Sequence, residues 1–269
     1  MLVVPPSSPA LAPFVESLWY FRCDDFAHER ERILPTGNMQ LLVNLYEDEL
    51  RTYRGEDFSQ VRRLRGAAIS GAYARPFGID TREQRHIVGV AFRPGGAAPF
   101  FAEPSDALAG DHIELDALWG RDGALLRERM LEAPTPAAAL CTLEQVLLAR
   151  LVRPLEVDKL VEFAIGALDR GAPIGQVTER LGLTPKRFIQ HFRGVVGLSP
   201  KRFARVRRFG KVLEAVERGQ RVNWSGVAAG CGYFDQAHLI RDFREFSGMN
   251  PTLYQPREPS SRYHALVGE

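Results

Sequence analysis

Residues 180–213 read RLGLTPKRFIQHFRGVVGLSPKRFARVRRFGKVL, and the rest of the chain is best understood outward from them. The stretch holds ten Lys or Arg (Arg180, Lys186, Arg187, Arg193, Lys201, Arg202, Arg205, Arg207, Arg208 and Lys211) and no Asp or Glu. The whole chain has 35 basic and 33 acidic side chains, so a window this long should contain several acids; their exclusion points to a polyanionic partner. Phe188, Phe192 and Val195 are spaced four and three apart on one helical face, which turns Lys186, Gln190 and Arg193 outward. A short helix is expected before them over residues 175–181. Gly182, Leu183 and Thr184 then supply a tight turn and an N-cap, and Pro185 takes the first helical position. Helix, glycine turn and capped basic helix together predict a helix-turn-helix.

The pattern recurs 51 residues later. Phe188-Ile189-Gln190-His191-Phe192 aligns with Leu239-Ile240-Arg241-Asp242-Phe243, Gly197 with Gly248, Pro200 with Pro251, Phe203 with Tyr254, and the cap Thr184 with Asp235. Gly182 and Gly232 are one residue out of step. Two copies make a duplication, not a solenoid.

A chain of 269 residues suits about two domains, and its halves differ in charge. Residues 155–269 carry 18 basic and 12 acidic side chains, whereas residues 1–154 carry 17 and 21. Cys23, Cys141 and Cys231 are dispersed, with no CxxC pair, which argues against a disulfide framework or zinc site and reads as buried or idle thiols in a reducing cytoplasm. The opening MLVVPPSSPA lacks a secretory pattern, and no apolar run nears the ~20 residues of a membrane span. A cytoplasmic protein with no membrane partner is expected.

Residues 18–101 follow period two. Met39, Leu41, Val43 and Leu45 alternate with Gln40, Leu42 and Asn44, residues 86–92 form a β-branched run, and short strands are expected at 18–23, 50–54 and 67–70. Glycine and proline punctuation suits an antiparallel sandwich or barrel. Helices are expected over 122–131 and 137–151, then over 157–170, 174–181, 185–195, 200–218, 224–230, 235–246 and briefly from Pro251; residues 258–269 show no periodicity. The expected fold class is therefore α+β: a cupin-like antiparallel β domain over 1–130, a helical linker over 131–154, an all-α pair of helix-turn-helix units joined by a long helix over 155–256, and a tail.

The second copy, from Gly230-Cys231-Gly232-Tyr233-Phe234-Asp235-Gln236-Ala237-His238-Leu239 to Gly248-Met249-Asn250-Pro251, closely resembles the signature of AraC/XylS-type bacterial transcription regulators, and residues 182–200 are similar to that family's first helix-turn-helix. The N-terminal half resembles the AraC-binding-like sensing domain that often precedes this module, through Arg32-Ile33-Leu34-Pro35, Phe92-Arg93-Pro94-Gly95-Gly96 and Leu118-Trp119-Gly120. The resemblance implies that each unit places its second helix in the major groove on one face of double-stranded DNA. RNA polymerase and an unidentified small-molecule effector are further candidate partners, and monomer or homodimer stays open.

In the first recognition helix, Lys186 and Gln190 match the groove pairings of lysine with guanine and glutamine with adenine, Ile189 suits a thymine methyl, and Arg193 shares the outward face. Thr184 and Arg187 suit phosphate. In the second, Gln236, Ile240 and Arg241 face outward, with His238 near the DNA backbone. Asp235, Asp242 and Glu245 against Arg241 and Arg244 give this helix a net −1, so the first unit is expected to anchor DNA electrostatically and the second to discriminate sequence. The bland alternative for both is a solvated helix face. Phe188, Phe192, Leu239, Phe243, Phe246, Tyr254 and Trp224 are assigned to core packing, and Arg205, Arg207 and Arg208 to phosphate or water.

No catalytic, cofactor or metal site is expected. His28, His86 and His112 are scattered, and no G-x-S-x-G, phosphate loop or reactive cysteine cluster of an alkylation-repair regulator is present in the sequence. Arg75 and Arg93 read first as surface arginines and second as partners for a carboxylate effector. The rivals to an effector-responsive regulator are a reader fused to a protein-interaction or dimerisation domain, and one fused to a cupin-like enzyme.

Overall fold

The computed structural model describes residues 1–55, 58–216, 222–255 and 262–266. The N-terminal half contains β1 (Leu2–Val4), β2 (Val15–Arg22), β3 (Arg30–Ile33), β4 (Gln40–Asn44), β5 (Glu49–Arg54), β6 (Gln60–Arg65), β7 (Ala67–Ser70), β8 (Phe77–Asp80), β9 (His86–Phe92), helix α1 (Ser105–Leu108) and β10 (His112–Glu114). One sheet runs β1-β2-β9-β4-β7-β10, and every pairing in it is antiparallel. Its inner face is the expected alternating set, with Met39, Leu41, Val43 and Leu45 all buried.

Helices α2 (Leu115–Trp119), α3 (Arg121–Leu131) and α4 (Pro136–Ala149) follow. Thr135 caps α4 by accepting from the Ala138 N–H, and Pro136 is its first residue, so the proline starts the helix where it was expected only to break the preceding one. Helix α4 lies on β2, where buried Glu144 accepts from Ser7 Oγ (2.5 Å) and the Ser8 N–H (2.7 Å). Trp119 is buried, stacks on Phe101 at 5.4 Å and donates its indole N–H to the Phe100 carbonyl.

The C-terminal half is α5 (Lys159–Asp169), α6 (Ile174–Arg180), α7 (Pro185–Val196), α8 (Pro200–Ala215), α9 (Trp224–Gly230) and α10 (Gln236–Ser247). The expected end of α8 at Arg218 lies outside the described residues, as does most of the tail. Val216, the last residue described there, is already extended. Residues 264–266, which show no periodicity, form β11 (His264–Leu266) against β3 and complete a second sheet of order β11-β3-β8-β5-β6. The chain therefore closes back on its N-terminal half. Glu31 of β3, fully buried, is held there by His28 Nε2 and His264 Nδ1, each 2.6 Å from one carboxylate oxygen. A continuous apolar cluster extends from Leu11 to Ala265 through both halves, including Phe188, Phe192, Leu239, Phe243, Phe246 and Tyr254. Trp224 is only partly buried, edge-on to Phe243. The thiols are free, and none is fully buried.

Burial lowers the pKa of His112 from its ordinary 6.5 to about 4; Asp111 opposes the shift, and Arg62 and Arg54 add to it. The native state therefore refuses a proton that the unfolded chain accepts, so stability is intact above pH 6.5 and falls as pH drops toward 4. The expected loss is about 2 kcal/mol by pH 5. Urea unfolding at pH 7.5 and 5.0 measures it, and His112→Asn should remove most of the difference.

Candidate nucleic-acid interface

The duplication is reproduced residue for residue in the helices. Helix α7 and helix α10 are each 12 residues long, offset by the same 51 positions as the sequence. Thr184 Oγ1 accepts from the Arg187 N–H, and an Asp235 carboxylate oxygen accepts from the His238 N–H. Both helices end on a left-handed glycine, Gly197 at φ 92° and Gly248 at φ 70°, whose N–H returns to the Arg193 and Arg244 carbonyls respectively.

Helix α7 exposes Thr184, Lys186, Arg187, Ile189, Gln190 and Arg193, while Phe188, Phe192 and Val196 are buried beneath. Among the described residues the side chains of Lys186, Arg187 and Gln190 have no hydrogen-bond or ionic partner, which leaves them free for a ligand. Arg193 is held: its Nε lies 3.3 Å from Asp106 Oδ2 on α1, in the β domain. On α10, Gln236 and Arg241 are exposed and Ile240 is half-buried. Gln236 Oε1 accepts from Ser225 Oγ of α9 at 2.9 Å. His238 turns toward the joining helix, edge-on to Tyr233 and with Nε2 3.5 Å from Arg208 Nη2.

Two charge readings change. The arginines of α8 are engaged within the chain, because acids from outside the basic stretch fold onto them. Arg207 donates twice to Asp169 (3.0 and 3.2 Å), and Arg205 and Arg208 share the two oxygens of Asp242 (2.7 and 3.3 Å). Glu245 takes Arg202 and Arg205. Burial pushes the Glu245 carboxyl up, but hydrogen bonds from Arg205 and Arg202 outweigh it and hold the group below the ordinary range. The net −1 counted along the second recognition helix consequently does not face outward. Asp242 is 2 % exposed and Glu245 is paired, so among the described residues Arg241 and Arg244 stand exposed without an acidic partner, beside the exposed carboxylate of the capping Asp235. The electrostatic inequality of the two units is smaller than the sequence suggests.

Between the units, along α8, runs an open groove of about 1030 Å³ whose rim includes Lys201, Lys211 and Arg241. Phe234, just before the Asp235 cap, is 91 % exposed. The sequence reading passed over it. The signal was its alignment with Leu183, a turn residue, at a place where a large apolar side chain gains nothing from packing.

The reader is docked on the β domain. Arg32 Nη1 donates to the Ser247 and Gly248 carbonyls (3.3 and 3.1 Å), covering the C-terminal end of α10, and Arg202 Nη2 donates to the Ala74 carbonyl (2.9 Å). Gly37 lies against Phe203 and Val206 of α8, and Gly95 against Val195 of α7. Two of the three segments that resemble the sensing domain, through Arg32 and Gly95, are thus among those that touch the C-terminal helices. Arg93 Nε donates to the Ala12 carbonyl (2.9 Å), while Arg75 is exposed at a cleft shared by both halves. Among the described residues no group of His, Cys, Asp or Glu is arranged to hold a metal ion, and no helix is long and apolar enough to cross a membrane.

Residues 177–257 match a family described as a helix-turn-helix domain, and residues 3–114 match one described as a domain of unknown function, DUF6597. No curated protein matches the chain. Among solved structures, the chain is similar to ToxT from Vibrio cholerae in its P21 form, at 8% identity over 87% of this chain and 96% of that one, with a TM-score of 0.46. ToxT from Vibrio cholerae O395 bound to (E)-4-(8-methylnaphthalen-1-yl)but-3-enoic acid covers the same shares at 7% identity and a TM-score of 0.47.

Proposed function

With residues 177–257 an AraC-type helix-turn-helix domain, we propose that the chain is a sequence-specific, cytoplasmic transcription regulator whose two recognition helices read one asymmetric site on double-stranded DNA. The observation that carries this is the pair of equal-length, identically capped helices bearing different outward side chains. Lys186, Ile189 and Gln190 read bases in one major groove, and Gln236, Ile240 and Arg241 read them in the next, ~34 Å away. Thr184, Arg187 and Arg193 hold phosphate, and His238 lies near the backbone. The sensor occupies 1–130, the linker 131–154, the reader 155–256 and the tail 257–269. Selection of bound duplexes from a random pool tests the reading: a recovered motif with unlike halves supports it, and recovery of random sequence refutes it.

The β domain modulates that reading through the contacts that dock the reader. Arg193 cannot serve phosphate and Asp106 at once. Asp106→Ala should raise affinity for the selected site by up to about fivefold, the scale of a partly exposed ion pair. Fluorescence anisotropy measures it, and unchanged or weaker binding would count against the competition. An effector acts by binding the docked and released arrangements unequally.

A further inference from the structure

A cavity of about 520 Å³ lies between the two sheets, within the range of small-molecule sites. Trp19 and Phe21, on one face of β2, and Phe26 beyond its end form its aromatic walls. Gly89 of β9 stands opposite Trp19, where a Cβ would come within 2.5 Å of Trp19 Cζ2, so the glycine lets the indole lie against the strand. Glu16, Ser17, Asn38 and Gln40 gather at one end. Strand register places Ser17 beside Ala91 and Ala91 beside Gln40, and Glu16 there meets Asn38. Two strand residues, ~7 Å, separate Ser17 from Trp19.

Among the described side chains that line this cavity, the charges are spent with one exception. Arg207 is bound by Asp169, Arg262 by Glu214 (3.0 Å), and His264 by Glu31. Glu16 has no cation in contact among the described residues: Arg207 senses it only at longer range, and its one hydrogen bond comes from Asn38 Nδ2 at 3.1 Å. That bond fixes the amide's orientation, since a carboxylate accepts only from the NH₂ side. Asn38 is 7 % exposed, and its Oδ1 is buried without a donor among the described residues. A carboxylate and an amide oxygen side by side call for N–H donors and positive charge, and aromatic faces attract the same cation.

We propose that this cavity binds an organic ammonium compound, its N–H groups on Glu16 and Asn38 and its apolar body along Trp19, Phe21 and Phe26. Arg207 and Glu214 of the joining helix, with Tyr263 and His264 of the returning segment, complete the lining, so occupancy is felt where sensor, joining helix and β11 meet. The assignment deepens the effector-sensing reading above and rests on it for its regulatory meaning.

The test is calorimetric titration of the full chain with phenethylamine and tryptamine, beside 3-phenylpropionate as the carboxylate of similar shape. The amines should bind saturably and the acid at least tenfold more weakly. Glu16→Gln should weaken amine binding about fivefold, and Trp19→Leu by a similar factor, with thermal melting checked for each variant. An acid that binds as tightly as the amines, no binding by either amine, or an unchanged amine affinity in a folded Glu16→Gln variant would each overturn the site. Failure of the regulator reading looks different: the amines would bind while the chain showed no preference for any DNA sequence.

Discussion

Lys186→Ala/Gln190→Ala is expected to weaken binding to the selected DNA site by about thirtyfold or more while leaving the melting temperature unchanged. The two side chains are one turn apart on the exposed face of α7 and have no partner in the described chain. Whatever they contribute is therefore realised only on a ligand. Each base contact in a major groove is worth about 1–3 kcal/mol, so losing two removes at least ~2 kcal/mol. Only Lys186 carries charge, so the slope of log affinity against log salt should fall by about one, and non-specific binding should suffer far less than specific binding. A loss equal for all sequences would assign both residues to phosphate. Gln236→Ala/Arg241→Ala should behave comparably, because the acids of α10 are neutralised by α8 and leave Arg241 an uncompensated cation.

Asp242→Ala should be the most damaging single change to the reader's fold. Its carboxylate is buried and accepts from Arg205 and Arg208, whose side chains are only about a quarter exposed. Removing it leaves Arg208 without a carboxylate and Arg205 with Glu245 alone in a poorly solvated seam, and breaking a buried pair from one side costs about 3–5 kcal/mol. For a chain of this size the melting temperature should fall by roughly 10 °C. Glu245, more exposed and shared between Arg202 and Arg205, should give a loss under about 1 kcal/mol on Glu245→Gln. Thermal unfolding followed by circular dichroism distinguishes the two, and equal effects would contradict this partition.

Most of the reader was legible because its signals are local. A cap and a terminal glycine fix each recognition helix within a residue or so, α7 has a proline at its first position as well, and the duplication supplies the register between them. The first sheet was legible for a related reason: β4, β7 and β9 are apolar at alternate or successive positions. The second sheet was largely not. Its strands read RERI, QVRRLR and FGID, and β11 spans three residues; their burial depends on partners distant in sequence, and Glu31 is buried only because His28 and His264 meet it. The fate of the α8 arginines was hidden likewise. Composition counts charge along the chain, whereas Asp169, Asp242 and Glu245 reach those arginines across it.

That one polypeptide presents two unlike groove-reading helices to a single site is tested most directly by hydroxyl-radical footprinting of the intact chain on its selected duplex. Two protected patches on one face, about 10 base pairs apart, are expected. Lys186→Ala/Gln190→Ala should erase the sequence dependence of one patch, and Gln236→Ala/Arg241→Ala that of the other. A single protected groove, or two patches of identical sequence related by a dyad within one chain's footprint, would contradict the account.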